Sequence, residues 1–108
     1  MIARMYLSGP ISSDPLFRDK FNRAQAQLAG MGYRVVNPAN MHMVMDNRAT
    51  WDDYMRIDTE LLCMCDVLVQ LPGWERSLGC QREYGVAYAR DMIILKLEDI
   101  LNGCTEKG

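Results

Sequence analysis

No run of apolar residues in the chain approaches the ~20 needed to span a bilayer. The amino terminus, MIARMYLSGP, holds no apolar stretch of the kind a secretory signal carries. A membrane partner is therefore not expected, and the protein is read as cytoplasmic. Basic charge is also missing as a surplus: 12 Lys and Arg stand against 14 Asp and Glu, a net charge of −2, and the basic residues are scattered. Without a basic stripe there is no footprint for a phosphate backbone, so a nucleic-acid polymer is excluded as the expected partner. Histidine occurs once, at His42, and no Cys-x-x-Cys pair exists among the four cysteines, 63, 65, 80 and 104. Cys63 and Cys65 lie two apart on an expected helix and diverge by about 200°. No metal site and no cofactor are expected, and reduced thiols are the default. His42 itself reads as a solvated or structural residue of a long loop.

What is present is ordinary for a globular chain. With 108 residues, 49% apolar and 24% charged, there is room for one domain over 1–108 and for a core that needs no disulfides. The tail from about 103 is expected to be flexible. Periodicity divides the chain into strands at 3–9, 33–38, 66–72 and 92–97. Helices are expected at 15–31, from Thr50 to about the start of the third strand at Asp66, and at 78–90, with a short last one after the fourth strand. Asp14 before Pro15 reads as an N-cap with an N1 proline, and Thr50 with Asp53 as a capping box. Residues 39–50 form a Met-rich connection; Met41, Met43 and Met45 suit a lid, a subunit contact or core filling.

Alternation of strand and helix predicts parallel strands and right-handed crossovers. The most apolar strand, VLVQL, belongs at the centre. The expected architecture is α/β, a flavodoxin-like three-layer sandwich with a short parallel sheet of about four strands in the order 2-1-3-4. In that order a crevice opens between strands one and three at their carboxyl ends, where ligands bind in such folds. Two Gly- and Ser-rich loops meet there, SGPISS and PGWERSLG.

Two carboxylates sit where charge is unusual. On the helix beginning at Thr50, residues Trp51, Tyr54, Met55, Leu61, Leu62 and Cys65 share an arc of about 120°, and Asp58 lies near its middle. Glu83 falls in the first turns of the next helix, at the crevice end. Burying charge costs several kcal/mol unless it is paired. The plain explanations are an arginine partner for Asp58, such as Arg4, Arg56 or Arg82, and a solvated Glu83 near Arg90. The alternative is that both carboxylates line the crevice.

The ordered set YLSGPIS (6–12), NPA (37–39), WDDYMRID (51–58), CDVLVQLPGWERSLG (65–79) and Glu83 resembles the nucleoside 2-deoxyribosyltransferase-like superfamily, nearest to a small branch common in bacteriophages and bacteria. The likeness runs from about residue 5 to 95. It implies cleavage of the N-glycosidic bond of a deoxynucleoside or its monophosphate, by transfer or hydrolysis. By that resemblance Glu83, in an S-x-G-x-x-x-E segment with Ser77 and Gly79, is the nucleophile. Tyr6 on the first strand orients it, and Asp58 handles the proton of the base. Ser8, Gly9, Pro10, Ser77 and Gly79 become substrate contacts. Trp74, or Tyr84, is offered as a surface for the base ring. The partner implied is a small nucleoside or nucleotide.

The chain is shorter than the superfamily's enzymes, whose extra carboxyl-terminal segment or neighbouring subunit completes the pocket. Uncovered sheet edges and helix faces suggest a homo-oligomer. The rival to an enzyme is a non-catalytic module holding a nucleotide or ADP-ribose-like ligand in the same crevice. An electron carrier has no further feature in its favour.

Overall fold

A computed structural model describes residues 2–103. The expected flexible tail from about 103, with Cys104, lies outside them apart from Gly103. The elements are β1 (Arg4–Ser8), α1 (Phe17–Gly30), β2 (Arg34–Val36), α2 (Pro38–Met41), α3 (Trp51–Cys63), β3 (Val67–Gln70), α4 (Leu78–Ala89), β4 (Ile93–Lys96) and α5 (Leu97–Leu101), with single 3₁₀ turns at His42–Val44 and Trp74–Arg76. All strand pairs are parallel, in the order β2-β1-β3-β4. This is the 2-1-3-4 sheet, and the winding reverses between β1 and β3 as the crevice argument requires.

Strand alternation sorts the two faces. Met5 and Leu7 of β1 join Val67 and Val69 of β3 against Phe21, Ala24 and Leu28 of α1 and Leu97 and Ile100 of α5. Tyr6 and Leu68 point the other way, into a cluster with Leu62 of α3, Cys65 and Ala87 of α4. The result is a three-layer sandwich with α1 and α5 on one side and α3 and α4 on the other.

Local chemistry explains where the elements begin. Thr50 and Asp53 form the expected capping box: Asp53 N–H donates to Thr50 Oγ1 at 3.1 Å and Thr50 N–H donates to Asp53 Oδ2 at 2.9 Å. Ser77 caps α4, its Oγ accepting from Cys80 N–H at 3.3 Å. α1 starts at Phe17, two residues later than Pro15, because Asp14 folds back on the turn and accepts from Leu16 N–H at 2.9 Å. The Met-rich connection carries more structure than a loop. Asn37 caps α2 by accepting from Ala39 N–H at 3.0 Å, with Pro38 at the first helical position, and a 3₁₀ turn follows from His42. Its methionines are not core fillers: Met41 and Met43 are 40% and 64% exposed.

Candidate active site

β1 delivers the two hydroxyls at the centre of the site. Tyr6 and Ser8 are two residues apart, so both side chains leave the sheet on the α3–α4 face. Glu83, one turn into α4, meets them there. Tyr6 Oη donates to Glu83 Oε2 at 2.5 Å and Ser8 Oγ donates to Oε1 at 2.7 Å, and all three residues are buried. Each oxygen of the carboxylate thus has its own hydroxyl donor, and Glu83 is not the solvated partner of Arg90 that the plain reading allowed.

Electrostatics in this nest pull in opposite directions. Burial pushes the Glu83 carboxyl up to about 7; the Tyr6 and Ser8 donors oppose that rise, nearby Asp58 adds to it, and His42 opposes it. Burial, followed by the facing Glu83 and Asp58 charges, holds the Tyr6 phenol well above its ordinary range, so it stays a donor. Cys80 is raised chiefly by burial as well.

Asp58, only 4% exposed, sits on the inner face of α3. Its partner is none of the arginines but His42, whose Nε2 lies 3.2 Å from each carboxylate oxygen. The imidazole packs on the ring of Tyr54, with centroids 4.4 Å apart. His42 is therefore not a solvated loop residue.

Glu83, Asp58 and His42 share the walls of one cavity of about 350 Å³, within the range typical of small-molecule sites. Gly9, Ser77, Gly79 and Cys80 line it from the two crevice loops and the start of α4; Trp51, Tyr54 and Met55 line it from α3; Ile11, Ser12, Ser13, Phe17 and Arg18 complete it. Gly9 has a steric reason to be glycine: a Cβ there would stand 3.0 Å from Leu71 Cβ and 3.3 Å from Phe21 Cε1. Arg82 lies over the Trp51 ring at 5.0 Å and backs that wall. A larger depression of about 1010 Å³ on the outer face of α3, bordered by Arg56, Glu60 and Arg82, reaches neither buried carboxylate.

Of the residues singled out from sequence, the structure gathers Glu83, Asp58, Gly9, Ser77 and Gly79 on the cavity wall, with Tyr6 and Ser8 directly behind Glu83. Ser8 spends its hydroxyl hydrogen on that carboxylate, and Ser77 Oγ serves the α4 cap. Two others stand elsewhere. Pro10 packs toward Gly73 and lines a separate cavity of about 250 Å³ with Phe21, Leu71 and Leu97. Trp74 stacks on Tyr84, and Tyr84 on Tyr88, at centroid distances of 5.6 and 6.3 Å along the outside of α4. Neither Pro10 nor Trp74 borders the cavity that holds Glu83.

Sequence reasoning passed over Trp51, Tyr54, Arg18 and His42 as site residues. Trp51 and Tyr54 share the apolar arc, which reads as core; the signal is that Asp58 shares it too, and residues one and two turns earlier on the same face reach the same hollow. His42 had a topological signal only, as a residue following β2 at the carboxyl edge of the sheet. Among the described residues no three His, Cys, Asp or Glu side chains group in a way that could hold a metal ion. No helix there is long and apolar enough to cross a membrane.

Fold and site together define a flavodoxin-like α/β domain with a buried, hydroxyl-held carboxylate and a second acid on the wall of one cavity. The chain belongs to the family described as "Domain of unknown function (DUF4406)", whose profile matches residues 3–96. The fold is shared with a crystal structure of a "conserved protein from Enterococcus faecalis V583", at a TM-score of 0.66 and 22% identity over 89% of this chain. This chain spans 63% of that protein's length. No match was found among curated proteins.

Proposed function

We propose that the protein cleaves the N-glycosidic bond of a 2′-deoxynucleoside or its 5′-monophosphate, by hydrolysis or by transfer of the sugar to another base. The observation that carries this reading is the Glu83 carboxylate, clamped at 2.5 and 2.7 Å by Tyr6 and Ser8 on the wall of a cavity that also holds Asp58. A glycosidic carbon leaves its base through an oxocarbenium-like transition state, which a carboxylate close beneath the sugar stabilises and then captures. The two hydroxyl donors fix the carboxylate's rotamer, so little motion has to be frozen during reaction. Asp58, with its partner His42, supplies acid on the side of the departing base nitrogen. The aromatic wall of Tyr54 and Trp51 gives a flat ring a surface to lie against.

Incubation with a panel of 2′-deoxynucleosides and their 5′-monophosphates, followed by chromatography for free base, tests the proposal. Base release that falls at least about 10³-fold in Glu83→Ala supports it. Exchange into an added acceptor base separates transfer from hydrolysis. Tight binding of an intact nucleotide with no release from the wild type favours the non-catalytic module instead.

A further inference from the structure

Resting on the glycosidic reading, we infer that His42 carries the proton delivered to the leaving base, and that Asp58 is its holder rather than the direct donor. The argument begins with geometry. Nε2 of His42 is equidistant, at 3.2 Å, from both oxygens of Asp58, so one N–H faces the whole carboxylate edge. Both side chains are largely shielded, with exposures of 10% and 5%. A hydrogen shared between one ring nitrogen and two carboxyl oxygens makes a strong, geometrically fixed pair. Tyr54 fixes the ring plane from one side. With Nε2 spoken for, Nδ1 is the remaining ring nitrogen; it makes no hydrogen bond among the described residues and is not sealed away as a buried orphan. His42 also borders the cavity directly.

The charged and titratable groups around the imidazole balance this role. Asp58 and Tyr54 face it from α3, Glu83 from α4 and Arg18 from α1 across the cavity. In the step itself the C–N bond breaks and its electron pair passes to the base nitrogen. That nitrogen takes the Nδ1 proton, and Glu83 forms the C–O bond to the anomeric carbon. His42 is left neutral and still bonded to Asp58. Water, or an acceptor base, then displaces Glu83 and returns a proton to Nδ1, closing the cycle.

A leaving group that needs no proton separates this role from a merely structural one. Wild type, His42→Gln, Asp58→Asn and Glu83→Ala are each assayed on deoxynucleoside 5′-monophosphates and on 4-nitrophenyl 2-deoxyribofuranoside with and without a 5-phosphate. His42→Gln is expected to lose about 10²–10⁴-fold on the nucleotides, at least as much as Asp58→Asn, yet less than about tenfold on the nitrophenyl glycosides. Glu83→Ala loses both. A His42→Gln enzyme within about threefold of wild type on nucleotides, or one equally impaired on both leaving groups, overturns the inference while leaving the glycosidic reading intact. A wild type that releases neither base nor nitrophenol overturns both. Should His42→Gln fail to fold, the wild type alone decides: an alkaline loss of rate with nucleotides and none with the nitrophenyl glycosides supports His42 or its pair as the acid, and equal loss with both overturns it.

Discussion

The two faces of the sheet are built from the same strands and have opposite characters. Toward α1 and α5, β1 and β3 present Met5, Leu7, Val67 and Val69, which join the larger apolar core. Toward α3 and α4 they present Tyr6, Ser8, Leu68 and Gln70, and the helices answer with Asp58 and Glu83. One face is organised by area removed from water, while the other adds to a smaller apolar cluster the hydrogen bonds of buried polar groups. The larger apolar core lies on the first and the proposed chemistry on the second, with a strand only five residues long serving both.

Substitutions on each face can break or sharpen that contrast. Leu28→Ala, on the apolar face and far from the cavity, is expected to cost about 2–5 kcal/mol of stability while base release per folded molecule stays unchanged; urea melts and the chromatographic assay read the two quantities. The next largest effect belongs to the polar face and depends on pH. In the folded protein the Glu83 carboxyl is raised from 4.5 to about 7 by burial. As pH rises between those values the unfolded chain ionises first, so the folded state loses stability, and the loss is complete above the folded value. The expected loss is about 3 kcal/mol, and Glu83→Gln should abolish it. Asp14 and Asp53, whose carboxyls are held low by hydrogen bonds from Lys20 and Thr50, act in the opposite sense at lower pH. The measurement is therefore the difference between wild type and variant from pH 4.5 to 8, the lower bound being the ordinary carboxyl value.

Tyr6→Phe should have a smaller and more specific effect. It removes a donor that favours the charged carboxylate, worth about 1.5–3 kcal/mol, so the acid limb of the pH–rate profile moves upward by about one unit or more. A profile that does not move would separate Tyr6 from the carboxylate it holds. Gln70→Leu should change least. The amide is buried beside Ser8 in register, and its Nε2 has no partner among the described residues; exchanging it for an apolar side chain is expected to shift stability by less than about 1 kcal/mol, in either direction.

Much of this contrast was legible in the sequence. Alternation of element types, the apolar run at 67–71 and the capping residue Thr50 specify the sheet order and the start of α3. Asp58 was legible as an error in a helical face, because a charge at the centre of an apolar arc violates the periodicity around it. Glu83 was legible from its position in the first turns of α4. What did not show was the pairing of His42 with Asp58, since the two are 16 residues apart and meet only after α2 and its 3₁₀ turn fold back. Nor could periodicity tell the part of the α3 face that packs, Leu61 and Leu62, from the part that borders a void, Trp51, Tyr54 and Met55. Trp74 shows the converse: an aromatic in a crevice loop attracts a ligand role, yet its neighbours in the helix turn it outward onto Tyr84.

Because Tyr6 and Ser8 alternate with Met5 and Leu7 along a single strand, the alignment of the Glu83 carboxylate is inseparable from the hydrophobic register. A one-residue insertion within β1 would turn the methionine and leucine toward Glu83 and expose the hydroxyls to α1, damaging both halves at once. Enzymes that carry their reactive groups on loops can drift in sequence there without unfolding. In this molecule variation should instead accumulate along the cavity's outer rim, at Ser12, Ser13 and Trp51, leaving choice of ligand adjustable while the centre stays fixed.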